Sequence, residues 1–284
     1  MTKENLAADQ NREEFGASGM MFTRIGLGTW AMEQNPESSG KALRAGIEAG
    51  SNHIDTAEMY GSGEAEEIVG KAVRGMRDKV RIVSKVLPSN AGYEKTLSAC
   101  ERSLKRLGTD YIDVYLLHWR QKQTPLEETF RAFRKLKKDG KIRAWGVSNF
   151  GVADMEEAVR LAGDGEIACN QVLYYLEERA IEFDLIPWCR KRRVAVTAYS
   201  PFGHGGPIKS PILESIAKEH GATSAQIILA FLARDPNVFV IPKSSDAERA
   251  RENARSMDVK LTEKDIRALD RAFPAVRRND LPTL

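Results

Sequence analysis

Along most of the chain, short apolar and β-branched runs alternate with longer stretches whose apolar residues recur every three or four positions. The first pattern suits buried strands and the second amphipathic helices. The strand-like runs are Arg24–Trp30, Asn52–Ala57, Val80–Val86, Tyr111–His118, Ala144–Asn149, Ile167–Val172, Val194–Ser200 and Val238–Ile241. Helices are predicted over Ser39–Ala49, Glu64–Met76, Tyr93–Leu107, Leu126–Lys138, Val152–Ala162, Ile181–Arg192 and Ile212–Arg234, then from Asp246 to about Ser256 and from Thr262 to just before Pro274. Gly108 and Gly140 stand where C-caps belong. Gly221 breaks the long segment, and Thr223 or Ser224 can cap its second half, as Asp246 can cap the next helix. Strand followed by helix, repeated eight times, predicts an α/β fold, a (β/α)8 TIM barrel in one domain. An open doubly wound sheet is the competing topology, and the placement of the chemistry decides between them. Residues 1–19 are polar and read as a flexible N-terminal tail, leaving 20–284 for the barrel.

Composition narrows the setting. Of 284 residues, 42% are hydrophobic and 29% charged, enough for a large core in a soluble protein. The formal net charge of +3 argues against a dedicated nucleic-acid binder. Cys100, Cys169 and Cys189 are odd in number and form no C-x-x-C, so they read as buried apolar residues. No apolar run approaches the roughly 20 residues that span a bilayer, and the first residues lack the apolar core of a secretion signal. A cytoplasmic protein without nucleic-acid or membrane partners is expected; no pattern specifies an oligomer.

Reactive groups of a parallel barrel sit at the C-terminal ends of its strands. The second run ends in Asp55, with Tyr60 in the loop that follows; the third carries Lys85 near its end, and the fourth ends in His118. Each has a bland reading: Asp55 as a turn residue, Tyr60 as a loop anchor, His118 as a satisfied core histidine. Lys85 is harder to dismiss, because lysine is seldom buried unpaired. Together the four suit carbonyl reduction, which needs a hydride for carbon and a proton for oxygen. Tyrosine, with a pKa of about 10, is a reluctant acid. A neighbouring Lys85 ammonium, held by Asp55, is expected to lower that value. Neutral His118 would hydrogen-bond and orient the substrate oxygen. The hydride must come from a cofactor, since no side chain transfers one.

The segments Gly26-Leu-Gly-Thr-Trp30, Asp55-Thr-Ala-Glu-Met-Tyr-Gly61, Ser84-Lys-Val86, Asp110 to Trp119, Gly146-Val-Ser-Asn-Phe150 and Ile241-Pro-Lys-Ser244 together resemble the aldo-keto reductases, in that family's order and over about Gly26 to Asp270. The resemblance implies a (β/α)8 barrel that binds NADPH and reduces aldehydes and ketones. It places Asp55, Tyr60, Lys85 and His118 on the catalytic tetrad, with Tyr60 as the acid. It also implies that Ser148, Asn149 and Gln171 hold the nicotinamide carboxamide, that Tyr199 stacks on the nicotinamide, and that Ser200 and Phe202 lie near the pyrophosphate. Lys243, Ser244, Arg249 and Asn253 match positions around the 2′-phosphate and adenine. Gly28, Thr29, Trp30, Asp55 and Ile241 complete the implied cofactor contacts. The residues themselves agree on the phosphate: Lys243 and Arg249 beside the N-terminus of a helix opening at Asp246 make an anion site.

Trp30, Met59, Trp119 and Phe150, with Tyr60 and His118, are candidates to line the substrate pocket. The family's usual proline after His-Trp is Arg120 here, and the segment Arg120–Thr124 and the tail beyond Phe273 are both short, which predicts an open pocket of broad preference. Two motifs mislead. Gly26-Leu-Gly-Thr-Trp-Ala31 fits G-x-G-x-x-A, but Asn35-Pro36 intervene before any helix. His53-x-Asp55 with His118 suggests a metal hydrolase, but the chain has only four histidines and a third imidazole at a strand end is hard to find, so no metal is expected. An NADPH-binding regulatory subunit of the same fold is the other alternative; four filled reactive positions favour an enzyme.

Overall fold

The apolar runs pair in chain order until the last returns to the first. A computed structural model describes residues 11–203 and 208–283. A short antiparallel hairpin, β1 (Arg12–Glu14) and β2 (Met21–Thr23), precedes the barrel strands. These are β3 (Leu27–Gly28), β4 (His53–Asp55), β5 (Arg81–Val86), β6 (Ile112–Leu117), β7 (Ile142–Ser148), β8 (Ile167–Leu173), β9 (Ala195–Tyr199) and β10 (Val238–Val240), hydrogen-bonded in that order. Backbone bonds from Gly26 N to Val240 O (2.8 Å), Val240 N to Arg24 O (2.7 Å) and Gly28 N to Pro242 O (2.9 Å) close the ring. The sheet is therefore a closed (β/α)8 barrel rather than an open one.

Helices alternate with the strands: α1 (Pro36–Glu48), α2 (Glu64–Ala72), α3 (Tyr93–Leu107), α4 (Leu126–Lys138), α5 (Val152–Ala162), α6 (Leu185–Lys191), the pair α7 (Pro211–His220) and α8 (Ser224–Leu232), then α9 (Ala247–Ala254) and α10 (Glu263–Ala272). Their ends follow local chemistry. α3 stops at Gly108, whose φ of +62° costs little without a Cβ. Gly221 (φ +60°) separates α7 from α8, and Thr223 and Gln226 form a capping box that starts α8. Asp246 accepts from Arg249 N (2.9 Å) and starts α9. Because helices cover the outside, the strands are buried on both faces; every residue of β6 is buried. Inside lie Val83, Val114, Leu116, Cys169 and Phe239, while Tyr115 and Trp145 point out to meet Phe130 and Phe133 of α4.

One expectation needs correction. The polar N-terminal sequence predicts a flexible tail over residues 1–19; residues 1–10 lie outside the described residues, but residues 12–19 are built into the fold. β1 pairs with β2, and Phe15 stacks on Phe22 with centroids 4.1 Å apart. Both rings are fully buried and meet Phe239 and His53, closing the barrel at the N-terminal end of its strands. The turn needs Gly16: a Cβ there would lie 2.0 Å from the Ala168 carbonyl oxygen. A lone phenylalanine among polar residues makes no period, so the pattern of the chain does not announce it.

Candidate active site

Three consecutive strands end at one mouth. β4 ends at Asp55, Lys85 is the penultimate residue of β5, and His118 follows β6 directly. The chain leaving Asp55 runs through Met59 into a single turn at Tyr60–Gly63, which folds Tyr60 back over the barrel. Lys85 and Asp55 are fully buried and Tyr60 and His118 nearly so. Burial of such groups in an ordinary core would be costly; here Asp55, Lys85 and Tyr60 satisfy one another, and His118 packs edge-on to the Tyr60 ring (5.8 Å).

Lys85 Nζ donates to Asp55 Oδ1 (2.5 Å), to the Thr56 carbonyl (2.9 Å) and to the Tyr60 hydroxyl (3.1 Å). Gln171 Nε2 donates to the other oxygen of Asp55 (2.6 Å). Burial opposes the Lys85 charge, but Asp55 and the Tyr60 oxygen outweigh it and hold its pKa above the ordinary lysine value. Burial likewise raises the Asp55 pKa, against the pull of Lys85 and Gln171. The Tyr60 pKa is raised too: burial outweighs the lowering by Lys85, and Asp55 adds to the rise. Lys85 lowers it as expected, but desolvation outweighs that pull, so the net shift is upward and Tyr60 is a protonated donor at neutral pH. His118 is pushed down to about 2, first by burial and then by Lys85, so its ring is neutral. Its Nδ1 is buried with no hydrogen-bond partner among the described residues.

A cavity of about 700 Å³ opens over these groups. It is lined by Gly28, Thr29, Trp30, Asp55, Met59, Tyr60, His118, Trp119, Ser148, Asn149, Gln171, Tyr199, Ser200, Phe202, Ile241 and Lys243, with Pro201 and Gly203. Trp30 stands edge-on to Tyr60 (5.1 Å) and is 59% exposed, and Trp119 packs against His118 (4.9 Å). Ser148 Oγ donates to the Gln171 carbonyl (2.8 Å), and Asn149 accepts from the Tyr199 hydroxyl (2.9 Å), so these residues stand as one preformed polar wall. Phe202 and Lys243 also line a second cavity of about 720 Å³, shared with Ser244, Asp246, Arg249 and Asn253. Lys243 and Arg249 are exposed there, with no carboxylate partner among the described residues.

One predicted lining residue falls elsewhere. Phe150 is fully buried in the core, with its carbonyl held by Asn170 Nδ2 (2.7 Å), and does not reach the cavity. Asn149 has φ +62° and turns the chain, so the ring after it faces inward. Sequence reasoning missed Pro201 and Gly203, although both continue the Ser200–Phe202 segment, and it took Thr223 as a cap alone, where Thr223, Ser224 and Ala225 also line the second cavity. His53 lies among Phe15, Phe22 and Phe239, at the opposite end of the barrel from the mouth. No group of three or more His, Cys, Asp or Glu among the described residues could hold a metal ion. The two cavities, which share Phe202 and Lys243, fit an elongated dinucleotide, with the polar wall of Ser148, Asn149 and Gln171 in the first and the exposed Lys243 and Arg249 cations in the second.

The sequence matches the Aldo/keto reductase family over residues 24–207 and 208–273. It is 46% identical over 259 residues to a methylglyoxal reductase of Escherichia coli, covering 88% of this chain and 91% of that protein. A glyoxal reductase of Bacillus subtilis is 37% identical, with 89% and 90% covered. The crystal structure of an aldo/keto reductase from Klebsiella pneumoniae in complex with NADP and acetate superposes with a TM-score of 0.90 at 44% identity, covering 96% of this chain and 99% of that one. With four polar groups meeting at the mouth of a closed barrel, and with likeness over nearly the full length of these proteins, the chain belongs to the aldo/keto reductase family.

Proposed function

We propose that this protein reduces small reactive aldehydes, α-oxoaldehydes above all, to alcohols at the expense of NADPH, with Tyr60 as the proton donor. The chain is an NADP-dependent oxidoreductase acting on carbonyls. The observation that carries the roles is the Lys85 ammonium, 2.5 Å from Asp55 and 3.1 Å from the Tyr60 hydroxyl, under a cavity that His118 also lines. The substrate class rests on two relatives named as methylglyoxal and glyoxal reductases.

The bound NADPH supplies the hydride. Gln171, Asn149 and Ser148 would hold its carboxamide, Tyr199 would face its ring, Ser200 and Phe202 would lie along the pyrophosphate, and Lys243, Ser244, Arg249 and Asn253 would take the 2′-phosphate and adenine. The substrate oxygen sits between the Tyr60 hydroxyl and the neutral His118 ring. As that oxygen gains negative charge it becomes far more basic than tyrosinate, so Tyr60 gives up its proton despite a raised pKa. Lys85 then stabilises the tyrosinate, and Asp55 keeps Lys85 charged throughout. Trp30, Met59 and Trp119 give the rest of the substrate an apolar surface. A cytosolic setting, in keeping with three buried free cysteines, belongs to the same reading.

Initial rates with methylglyoxal, glyoxal, an aromatic aldehyde and a simple ketone test it, each with NADPH and with NADH. Turnover with NADPH is expected, with kcat/KM for methylglyoxal at least about tenfold above that for the ketone, a difference of ~1.4 kcal/mol. NADPH binding without turnover of any carbonyl would overturn it.

A further inference from the structure

Two buried carboxylates bracket Tyr60, and both are bonded to the segment that carries Lys85. Glu58 Oε1 accepts from Leu87 N (2.8 Å) and Asn90 Nδ2 (2.9 Å), two to five residues beyond Lys85. Glu66, the first buried polar residue of α2, accepts from Ser84 Oγ (2.6 Å), the residue before Lys85. Each has an arginine from α3 behind it. Arg102 lies 3.7 Å from Glu58 Oε2, and Arg106, one helical turn on, donates to Glu66 Oε2 (2.7 Å). Between the two anchors the chain is held in an uncommon form: Gly61, Ser62 and Gly63 have φ of +53°, +53° and +102°. Ser62 adopts this left-handed conformation against the preference of a residue with a Cβ. Arg106 also covers Gly63, where a Cβ would sit 2.5 Å from its Cδ. A strained turn persists only where its surroundings over-determine it.

We propose that Glu58 and Glu66, braced by Arg102 and Arg106, are positioning residues that fix the distance from the Tyr60 hydroxyl to Lys85. None of the four lines the cavity over Tyr60, so they act through Tyr60 and Lys85 and not on substrate or cofactor. The inference rests on the reading of Tyr60 as the acid. Misplacement by about 1 Å can lower a rate a hundredfold, so a loosened turn should reach the proton-transfer step first.

The test compares wild type, Glu58→Ala, Glu58→Gln and Tyr60→Phe by kcat per NADPH-binding site, NADPH Kd and the solvent deuterium isotope effect on kcat. Glu58→Ala is expected to lower kcat by about tenfold or more, to leave Kd within about twofold, and to raise the isotope effect as proton transfer becomes limiting. Glu58→Gln, whose amide oxygen can accept the same two N–H bonds, is expected to keep kcat within about threefold. Wild-type kcat and isotope effect in Glu58→Ala, or equal damage in the two Glu58 variants, would overturn the proposal. If Glu58→Ala does not fold, Asn90→Ala removes one of the two donors; a kcat about two- to fivefold lower with a raised isotope effect is then expected, and no change in either overturns it. Wild-type turnover by Tyr60→Phe would instead sink the assignment of the acid. An inactive Tyr60→Phe beside a fully active Glu58→Ala would sink the positioning role alone.

Discussion

Lys85 is the side chain on which the site turns. It is fully buried, and its three bonds reach a carboxylate, a backbone carbonyl and a phenol. A lysine in an apolar run, just before a strand end, was legible as anomalous from the sequence alone, because burial without a partner is prohibitive. Its lowering pull on Tyr60 was legible, but the net shift was not, because that sign depends on how much water the fold removes. Burial raises the tyrosine pKa by more than the ammonium lowers it. The pair also sets a stability prediction. Lys85→Met leaves Asp55 buried with Gln171 as its remaining side-chain donor, and a broken buried pair costs about 3–5 kcal/mol. Urea unfolding of Lys85→Met should show that loss. The double variant Asp55→Asn with Lys85→Met should recover part of it, because the stranded charge is gone. A double variant as unstable as the sum of both single losses would mean that the two residues do not act as a pair.

The elements explain which sites were readable. Strand ends were readable because polar residues stand out where an apolar run stops, and a closed barrel brings such ends together. Helix starts at Thr223, Asp246 and Thr262 were readable because capping is local chemistry. Phe150 was misread because a single left-handed residue, Asn149, reverses the direction of the side chain that follows it. The N-terminus of α9, with Lys243 and Arg249 exposed beside it, carries the cofactor prediction. Charge-assisted hydrogen bonds contribute about 1.5–3 kcal/mol each, so Lys243→Ala with Arg249→Ala should raise the NADPH Kd about a hundredfold or more. NADH, which lacks the 2′-phosphate, should lose much less. Fluorescence titration with both cofactors checks this, and a parallel loss for the two would refute the phosphate assignment.

Across the barrel, chemistry and stability occupy opposite ends. The floor, with Phe15, Phe22, Phe239 and His53, was the part least visible in the sequence, because the residues that build it are scattered and each looks ordinary alone. Phe15→Ala should destabilise by about 3–5 kcal/mol in chemical denaturation while leaving the NADPH Kd unchanged. The buried histidines make stability depend on acidity. His53, at the floor, is lowered to about 3 by burial, and His118, at the mouth, to about 2, from an unfolded value near 6.5. Between those limits each histidine binds more protons in the unfolded chain than in the folded one, so its contribution to stability is complete above about pH 6.5 and is lost as pH falls. At about pH 5 each histidine should have cost roughly 2 kcal/mol, and His53→Phe should remove its share of the decline. The account as a whole stands on Tyr60 giving its proton beside Lys85. A single turnover of saturated enzyme–NADPH complex with methylglyoxal, followed by nicotinamide absorbance, addresses that directly. Tyr60→Phe should bind NADPH as tightly as wild type and lose about a hundredfold or more in rate, the contribution of a placed general acid. An equal single-turnover rate in the two proteins would contradict it.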